Sequence, residues 1–338
     1  MKRTALNLKW NALKLSGYET ILLGVFVILF VLFSLTAPNF LSPVNLQSMM
    51  VQMPEMGLIA LGLMVVVITA GIDLSITYLA ALSGIAIAWA LSHGWPIPLA
   101  LAAGAVTAML CGAFNALLIA GTGVPPIVLT LGSMILFEGI ALRVTRGGSI
   151  SGFPESYYLI GGGELGPIPV PMLIFAAAAV LTAVMLNRTA WGRSVFMIGN
   201  NPTASRFSGI PVKSVLIRVY LFSALMAFLA AVIMTSRYNS AKVDYGSSYL
   251  MQGLAAVVLG GTSISGGSGT VKGTVIGVAI FQILSSALNL YSISPHIVDV
   301  LMGAILIFVL LVDYVIKLRK RMVRVKATDA AVKPPVSA

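Results

Sequence analysis

Apolar runs long enough to cross a lipid bilayer recur along almost the whole of this chain, and few architectures are compatible with that pattern. A helix needs about 20 residues to cross a ~30 Å hydrocarbon core. Ten such runs can be drawn, at Tyr18 to Thr36, Ser48 to Ala70, Ser75 to Leu91, Ile97 to Ala120, Ile127 to Thr145, Ile168 to Leu186, Val215 to Thr235, Ser248 to Ile264, Gly273 to Leu290 and Ile297 to Ile316. Only 9% of the 338 residues are charged, against about 25% in a soluble globular domain, so a second, soluble domain has no room. The pattern predicts an all-α integral membrane protein of about ten transmembrane helices.

The formal charge of +11 forms no groove-lining patch, which argues against a nucleic-acid partner. Basic residues collect in Met1 to Gly17, in the loop Asn187 to Val215 and in the tail Lys317 to Lys333. Lys and Arg are enriched in cytoplasmic loops, so these segments are assigned to the cytoplasm, together with both termini. On that topology 17 of the 21 basic residues fall on the inner side or within a turn of it, and only Arg143, Arg146, Arg237 and Lys242 fall outside. Trp89 and Trp95 near an outer boundary, and Trp191 near an inner one, fit an aromatic belt. The chain divides into a cytoplasmic or interfacial segment, 1–17, a transmembrane domain, 18–316, with an inner loop at about 187–214, and a basic cytoplasmic tail, 317–338. Within the first segment Leu6, Trp10 and Leu13 share a helical face opposite lysines, the pattern of a helix lying on a leaflet. Leu35-Thr36-Ala37-Pro38 offers a poor cleavage site, so the first span is read as uncleaved.

Several chemistries are excluded by what the chain lacks. Cys111 is the sole cysteine and lies in an apolar run, and His93 and His296 fall in short loops, so neither a disulfide nor a metal centre is expected. No nucleophile and base share a usable spacing in the spans, and no catalytic residue is assigned. The glycine-rich run Gly260 to Thr274 superficially resembles a phosphate cradle. A P-loop requires Gly-Lys-Ser/Thr, and the order here is Lys272-Gly273-Thr274 with no preceding strand. No cofactor is expected on this chain. Small residues at four-residue spacing, such as Gly104, Ala108 and Gly112, or Gly273 and Gly277, predict close helix packing.

The inner loop carries the most organised polar sequence. Pro202 to Ser208 predicts a short helix, with Asn200 or Asn201 near its N-cap and Gly209 as its stop. A compact helix held by glycine turns on the cytoplasmic face suits the docking of a soluble engine, and on composition alone it equally suits a charged connector.

This loop, Arg188 to Val212, resembles the pattern of threonine, Gly-Arg, aliphatic residues, Ile-Gly, Asn, alanines and Ser-Gly-Ile found in permeases of ribose-type sugar ABC importers, within the branched-chain-amino-acid and ribose permease superfamily. Ala70-Gly71-Ile72-Asp73-Leu74-Ser75 resembles that family's Gly-Gly-Ile-Asp-Leu-Ser signature. Val124-Pro125-Pro126-Ile127-Val128-Leu129-Thr130-Leu131-Gly132 resembles its Asn-Pro-Phe-Ile-Val-Thr-Leu-Gly turn, and Ala255 to Thr262, continuing to Gly273, is the fourth match. The resemblance implies a permease bundle in a bacterial inner membrane. It also implies a partner permease, identical or homologous, ABC ATPase subunits that hold ATP and Mg, and a periplasmic sugar-binding protein. Gly192, Arg193, Gly199, Asn200, Thr203, Ala204, Ser205, Arg206 and Gly209 are then the expected ATPase-coupling residues. Two departures stand out. Ile76-Thr77 replaces the usual Val-Gly, and Tyr249 to Leu254 lacks the acid common before the Ala-Ala-Val run. Such changes resemble permeases for furanosyl signalling molecules, or one half of a heterodimeric pair.

Ionisable residues inside a membrane usually face a cavity or a partner. Asp73 is placed to cap the third helix, while Glu55 and Glu138 lie deeper, Glu138 with Arg143 at imperfect helical spacing. Pro125-Pro126 suggests a kinked entry to the fifth span. Gln52, Glu55, Asp73, Ser75, Thr130, Ser133, Glu138 and Gln252 are the candidates for the solute pathway. A self-sufficient secondary carrier, with Glu55, Asp73 or Glu138 taking a proton or cation, is the rival to ATP-driven import.

Overall fold

The computed structural model describes residues 16–294 together with 296–298, 300–301, 303–305, 307–308 and 311. The helix expected around Leu6, Trp10 and Leu13, the tail from Lys317 and the end of the tenth span lie outside the described residues.

Proline and hydroxyl side chains set the starts of most long helices. Helix α1, Gly17–Thr36, opens on a reciprocal capping box in which the Ser16 hydroxyl accepts from the Glu19 N–H and the Glu19 carboxylate accepts from the Ser16 N–H. Helix α2, Pro43–Ile68, begins behind the Ser42 cap with proline in its first turn. After α3, Ile76–Ser92, come α4, Ile97–Thr122, and α5, Pro126–Thr145. Pro125-Pro126 supplies the N-cap and first residue of α5, where the lost donors have no helical partner in any case, and the double proline starts the span instead of kinking it. The proline inside a span is Pro54 of α2. Two-residue strand β1, Ile150–Ser151, helix α6, Glu155–Gly162, and the hairpin of β2, Glu164–Leu165, with β3, Ile168–Pro169, form a small layer that hydropathy did not anticipate. Then follow α7, Val170–Arg188, α8, Ala190–Asn200, α9, Pro202–Phe207, and α10, Val212–Tyr238. Strand β4, Ser240–Ala241, pairs antiparallel with β1, and α11, Tyr249–Leu259, and α12, Val271–Leu290, complete the series.

Among the described residues seven helices, α1, α2, α4, α5, α7, α10 and α12, are long and apolar enough to cross a membrane. The span expected over Ser248 to Ile264 is shorter. Helix α11 has 11 residues and stops at Leu259, a rise of about 16 Å. The chain turns at Gly260 and Gly261, the latter at φ +86°, a left-handed conformation that suits glycine.

Helix α2 is the axis of the bundle, with every residue from Pro54 to Ile68 buried. Helices α7, α10, α11 and α12 surround it, α3 and α4 pack on α10, and α1 lies outside against α12. Lipid gives no hydrophobic drive for helices to associate, so close packing must come from small residues. The predicted stripes act in this way. A Cβ on Gly104 would meet Ile87 and the Ser83 carbonyl of α3, and one on Gly112 would meet Ala224 of α10. Gly273 and Gly277 sit against the backbones of Gly260 and Ala256, so α11 and α12 touch main chain to main chain. At the end of the bundle remote from α8 and α9, α6 is fastened to α10: the Gly161 N–H donates to Ser236 Oγ at 2.7 Å, and Ser236 Oγ donates to the Tyr157 carbonyl at 2.6 Å.

Candidate functional site

Three polar assemblies stand out from the apolar bundle: a knob at one end, a buried carboxylate node near it, and a second node at the far end.

The knob is α8 and α9. Thr189 caps α8 by accepting from the Gly192 N–H at 3.0 Å, and Asn201 caps α9 by accepting from the Ala204 N–H at 2.9 Å. Of the two asparagines proposed as caps, Asn201 takes the role. Asn200 instead turns back to donate to the Phe196 carbonyl at 2.9 Å and the Gly267 carbonyl at 3.3 Å. Gly192 sits on the Leu186 backbone and Gly199 on the Ile68 carbonyl, each without room for a side chain. Ser205 is the buried residue of α9, while Thr203, Ala204 and Arg206 are exposed and Phe207 is 88% exposed. Arg193 on α8 is exposed as well, and Gly209 at φ +80° ends the segment.

The first carboxylate node surrounds the turn between α2 and α3. Asp73 is 2% exposed. One oxygen accepts from the Ser75 N–H at 3.1 Å and the Ser75 hydroxyl at 2.7 Å, and the other accepts from the Ser223 hydroxyl of α10 at 3.0 Å. Asn115 of α4 donates to Ser75 Oγ at 2.8 Å. Thr130 of α5 joins the same turn, donating to the Ile72 carbonyl at 2.9 Å and accepting from the Leu74 N–H at 3.2 Å. The expectation that Asp73 caps α3 needs correction. Ser75 holds the N-cap position without a side-chain cap bond, and Asp73 folds the turn before it. Ser133 is buried one turn further along α5 and donates to the Thr130 carbonyl at 3.2 Å. Asp73, Ser75, Thr130 and Ser133 are thus brought together.

The second node lies where α2, α10 and α11 meet at the far end. Glu55 is fully buried. Arg237 Nε stands 2.7 Å from one of its oxygens and Arg237 Nη2 donates to the other at 3.1 Å. That second oxygen also accepts from Tyr249 at 2.8 Å and Tyr238 at 3.3 Å. The guanidinium lies 4.3 Å from the centroid of the Tyr238 ring, a cation–π placement. Gln52 lies one turn away on α2 and donates to Ser48 Oγ at 2.7 Å, and Gln252 lies one turn from Tyr249 on α11. Glu138 joins neither node. It is half-buried and interacts with Tyr78 of α3, not with Arg143.

Sequence reasoning missed Asn115, Ser223, Arg237, Tyr238 and Tyr249. A signal was present for three of them. Asn115 and Ser223 interrupt otherwise apolar runs, and Arg237 was one of four basic residues outside the charge rule. The tyrosines carried none, because their ends suit a membrane boundary equally well.

A bundle of apolar helices with two buried polar nodes and an exposed helical knob at one end defines a multi-pass membrane protein whose polar groups serve the interior and one face. The chain belongs to the family described as branched-chain amino acid transport system / permease component, which matches residues 45–310. It is 38% identical over 293 residues to the Ribose import permease protein RbsC of Bacillus subtilis (strain 168), covering 86% of this chain and 91% of the relative. It is 36% identical over 299 residues to the Autoinducer 2 import system permease protein LsrD of Escherichia coli (strain K12), covering 87% and 91%. These matches bear out the resemblance to permeases of ribose-type sugar ABC importers. No solved structure matches the chain.

Proposed function

We propose that the chain is the membrane-spanning permease of an ABC importer that carries a monosaccharide or related small sugar into the cytoplasm with ATP hydrolysed by separate subunits. The observation that carries the reading is α9, a capped helix that projects Phe207 and Arg206 from a base of backbone contacts. Such a knob presents an apolar contact on a base packed closely against the bundle.

In this reading residues 18–316 form the transmembrane domain in a bacterial inner membrane, with the segment before it, the loop at about 187–214 and the tail 317–338 in the cytoplasm. Gly192, Arg193, Gly199, Asn200, Thr203, Ala204, Ser205, Arg206 and Gly209 build the surface that meets the ABC ATPase subunits, which hold ATP and Mg. A second permease, identical or homologous, completes the pathway, and a periplasmic sugar-binding protein delivers the solute. Gln52, Glu55, Asp73, Ser75, Thr130, Ser133, Glu138 and Gln252 are assigned to the pathway or to its supporting wall. The ribose and autoinducer 2 import permeases among its relatives support a small sugar or a furanosyl molecule as the solute.

The test is reconstitution of the chain in liposomes with its ATPase subunits and binding protein. Uptake should require ATP, and Arg193→Glu should lower the yield of co-purified ATPase severalfold. Co-purification at the wild-type level would remove Arg193 from the docking surface. One observation favours the rival: among the described residues Asp73 has hydroxyl and amide donors but no cationic partner. Liposomes bearing this polypeptide alone that accumulate solute down a proton or cation gradient would establish the secondary carrier instead.

A further inference from the structure

The glycine-rich run 260–269 is not read as a nucleotide site, yet it packs main chain against main chain at several elements. Gly267 donates its N–H to the Ile68 carbonyl, the last of α2, at 2.8 Å. Its own carbonyl receives the Asn200 amide at the end of α8. A Cβ on Gly266 would stand 2.7 Å from the Gly199 carbonyl and 2.8 Å from Ala70. Ala70 itself is held at φ +61°, a conformation alanine keeps only when its surroundings impose it. On the other side, Gly260 packs on the Gly273 backbone at the start of α12. By contrast a Cβ on Gly209, which links α9 to α10, would meet nothing within 4 Å.

We infer that the turn 260–269 is the mechanical joint of the transport cycle: it passes displacement of the α8–α9 knob to the end of α2 and, through Gly260 and Gly273, to α11 and α12. This rests on the reading of α9 as the point where force enters. Main chain in contact with main chain has no rotamers to yield, so movement at Gly199 reaches Ile68 and the Asp73 turn undiminished. Gly266 and Gly267 are positioning residues, both at positive φ where a side chain would strain the turn and wedge it off Gly199 and Asn200.

The experiment uses the whole complex of permease, ATPase subunits and binding protein in proteoliposomes. Gly266→Ala and Gly267→Ala should leave ATPase co-purification and hydrolysis within about twofold of wild type, while solute taken up per ATP falls at least tenfold. Gly139→Ala, at an open helical position, should change neither. Hydrolysis and uptake falling in parallel, or uptake at the wild-type level, would overturn the joint. Should the turn variants fail to fold, hydrogen exchange on the wild-type complex decides. Protection of residues 261–270 should be the same with and without trapped ATP, and loosening in the ATP state counts against a rigid joint. A wild-type complex without ATP-driven uptake overturns the underlying reading, and the joint with it.

Discussion

Removal of Arg237 should destabilise the protein more than removal of its partner Glu55, and removal of both should cost less than the two losses added together. Arg237→Ala leaves Glu55, fully buried, as a charge that faces only the Tyr238 and Tyr249 hydroxyls. Breaking a buried pair from one side costs about 3–5 kcal/mol because the remaining charge is uncompensated. Glu55→Gln keeps an acceptor for the tyrosines. The Arg237 side chain is 18% exposed and can extend its head toward the interface, so the loss is nearer that of charged hydrogen bonds, about 1.5–3 kcal/mol. The double variant has neither charge and should resemble Glu55→Gln alone, giving a coupling close to the Arg237→Ala loss itself, about 3–5 kcal/mol. The assay is a double-mutant cycle on equilibrium unfolding in mixed micelles, read by tryptophan fluorescence. Additivity within about 0.5 kcal/mol, the behaviour of independent sites, would refute an obligate pair. So would an Arg237→Ala loss below about 1 kcal/mol, the scale of an exposed ion pair.

Gly104→Ala should cost about 1–3 kcal/mol by overpacking against Ile87, whereas Gly139→Ala, with open space around it, should be neutral or stabilise by up to about 1 kcal/mol; thermal denaturation of both checks the contrast. Ser223→Ala removes one of three hydrogen bonds to Asp73 and should lower stability by about 1.5–3 kcal/mol, measured the same way. Burial pushes the Tyr157 hydroxyl up to about 12, so its neutral form is favoured by folding. That contribution is complete below the ordinary tyrosine value near 10 and is lost as pH rises from about 10 to 12, which makes alkaline unfolding steeper. Tyr157→Phe should flatten the fall in stability across this window, and unchanged steepness would remove Tyr157 as its source.

Hydropathy located the long spans because a lipid-facing helix must be apolar along its length whatever it packs against. Helices α1, α4, α5, α7, α10 and α12 begin or end within three residues of the sequence-based bounds. The eighth span failed for a physical reason. Val257 to Ile264 is apolar enough to continue a helix, but Gly260 and Gly261 are needed for the turn that packs on Gly273, and that requirement is tertiary. The layer of α6 with β1 to β4 was invisible because its strands are two residues long and its contacts, such as Tyr157 with Thr235, join positions 78 residues apart. At the nodes, a carboxylate in a span announced that a partner must exist. Its identity could not be read, since Glu55 and Arg237 are 182 residues apart and no local period links them.

The two nodes bear on how such a bundle can move. Glu55, midway along α2, joins it to the end of α10 through Arg237, and Asp73, just beyond α2, joins it to the middle of α10 through Ser223. Two helices fastened at two points, with buried polar groups that would lose their partners on separation, resist relative sliding at a cost of several kcal/mol. Helices α2 and α10 are therefore held to each other more firmly than by packing alone. Conversion between outward- and inward-facing states, on the proposed function, then has to displace helices less tightly held. Helix α5 lies outside this pair: it meets the pair through Thr130 at the Asp73 turn and packs on α3 and α4, with Phe137 and Ala141 buried, while Ile127, Val128, Leu131 and Ile135 are exposed. A tilt of α5 about Thr130 would slide it over α3 and α4 and leave both nodes intact.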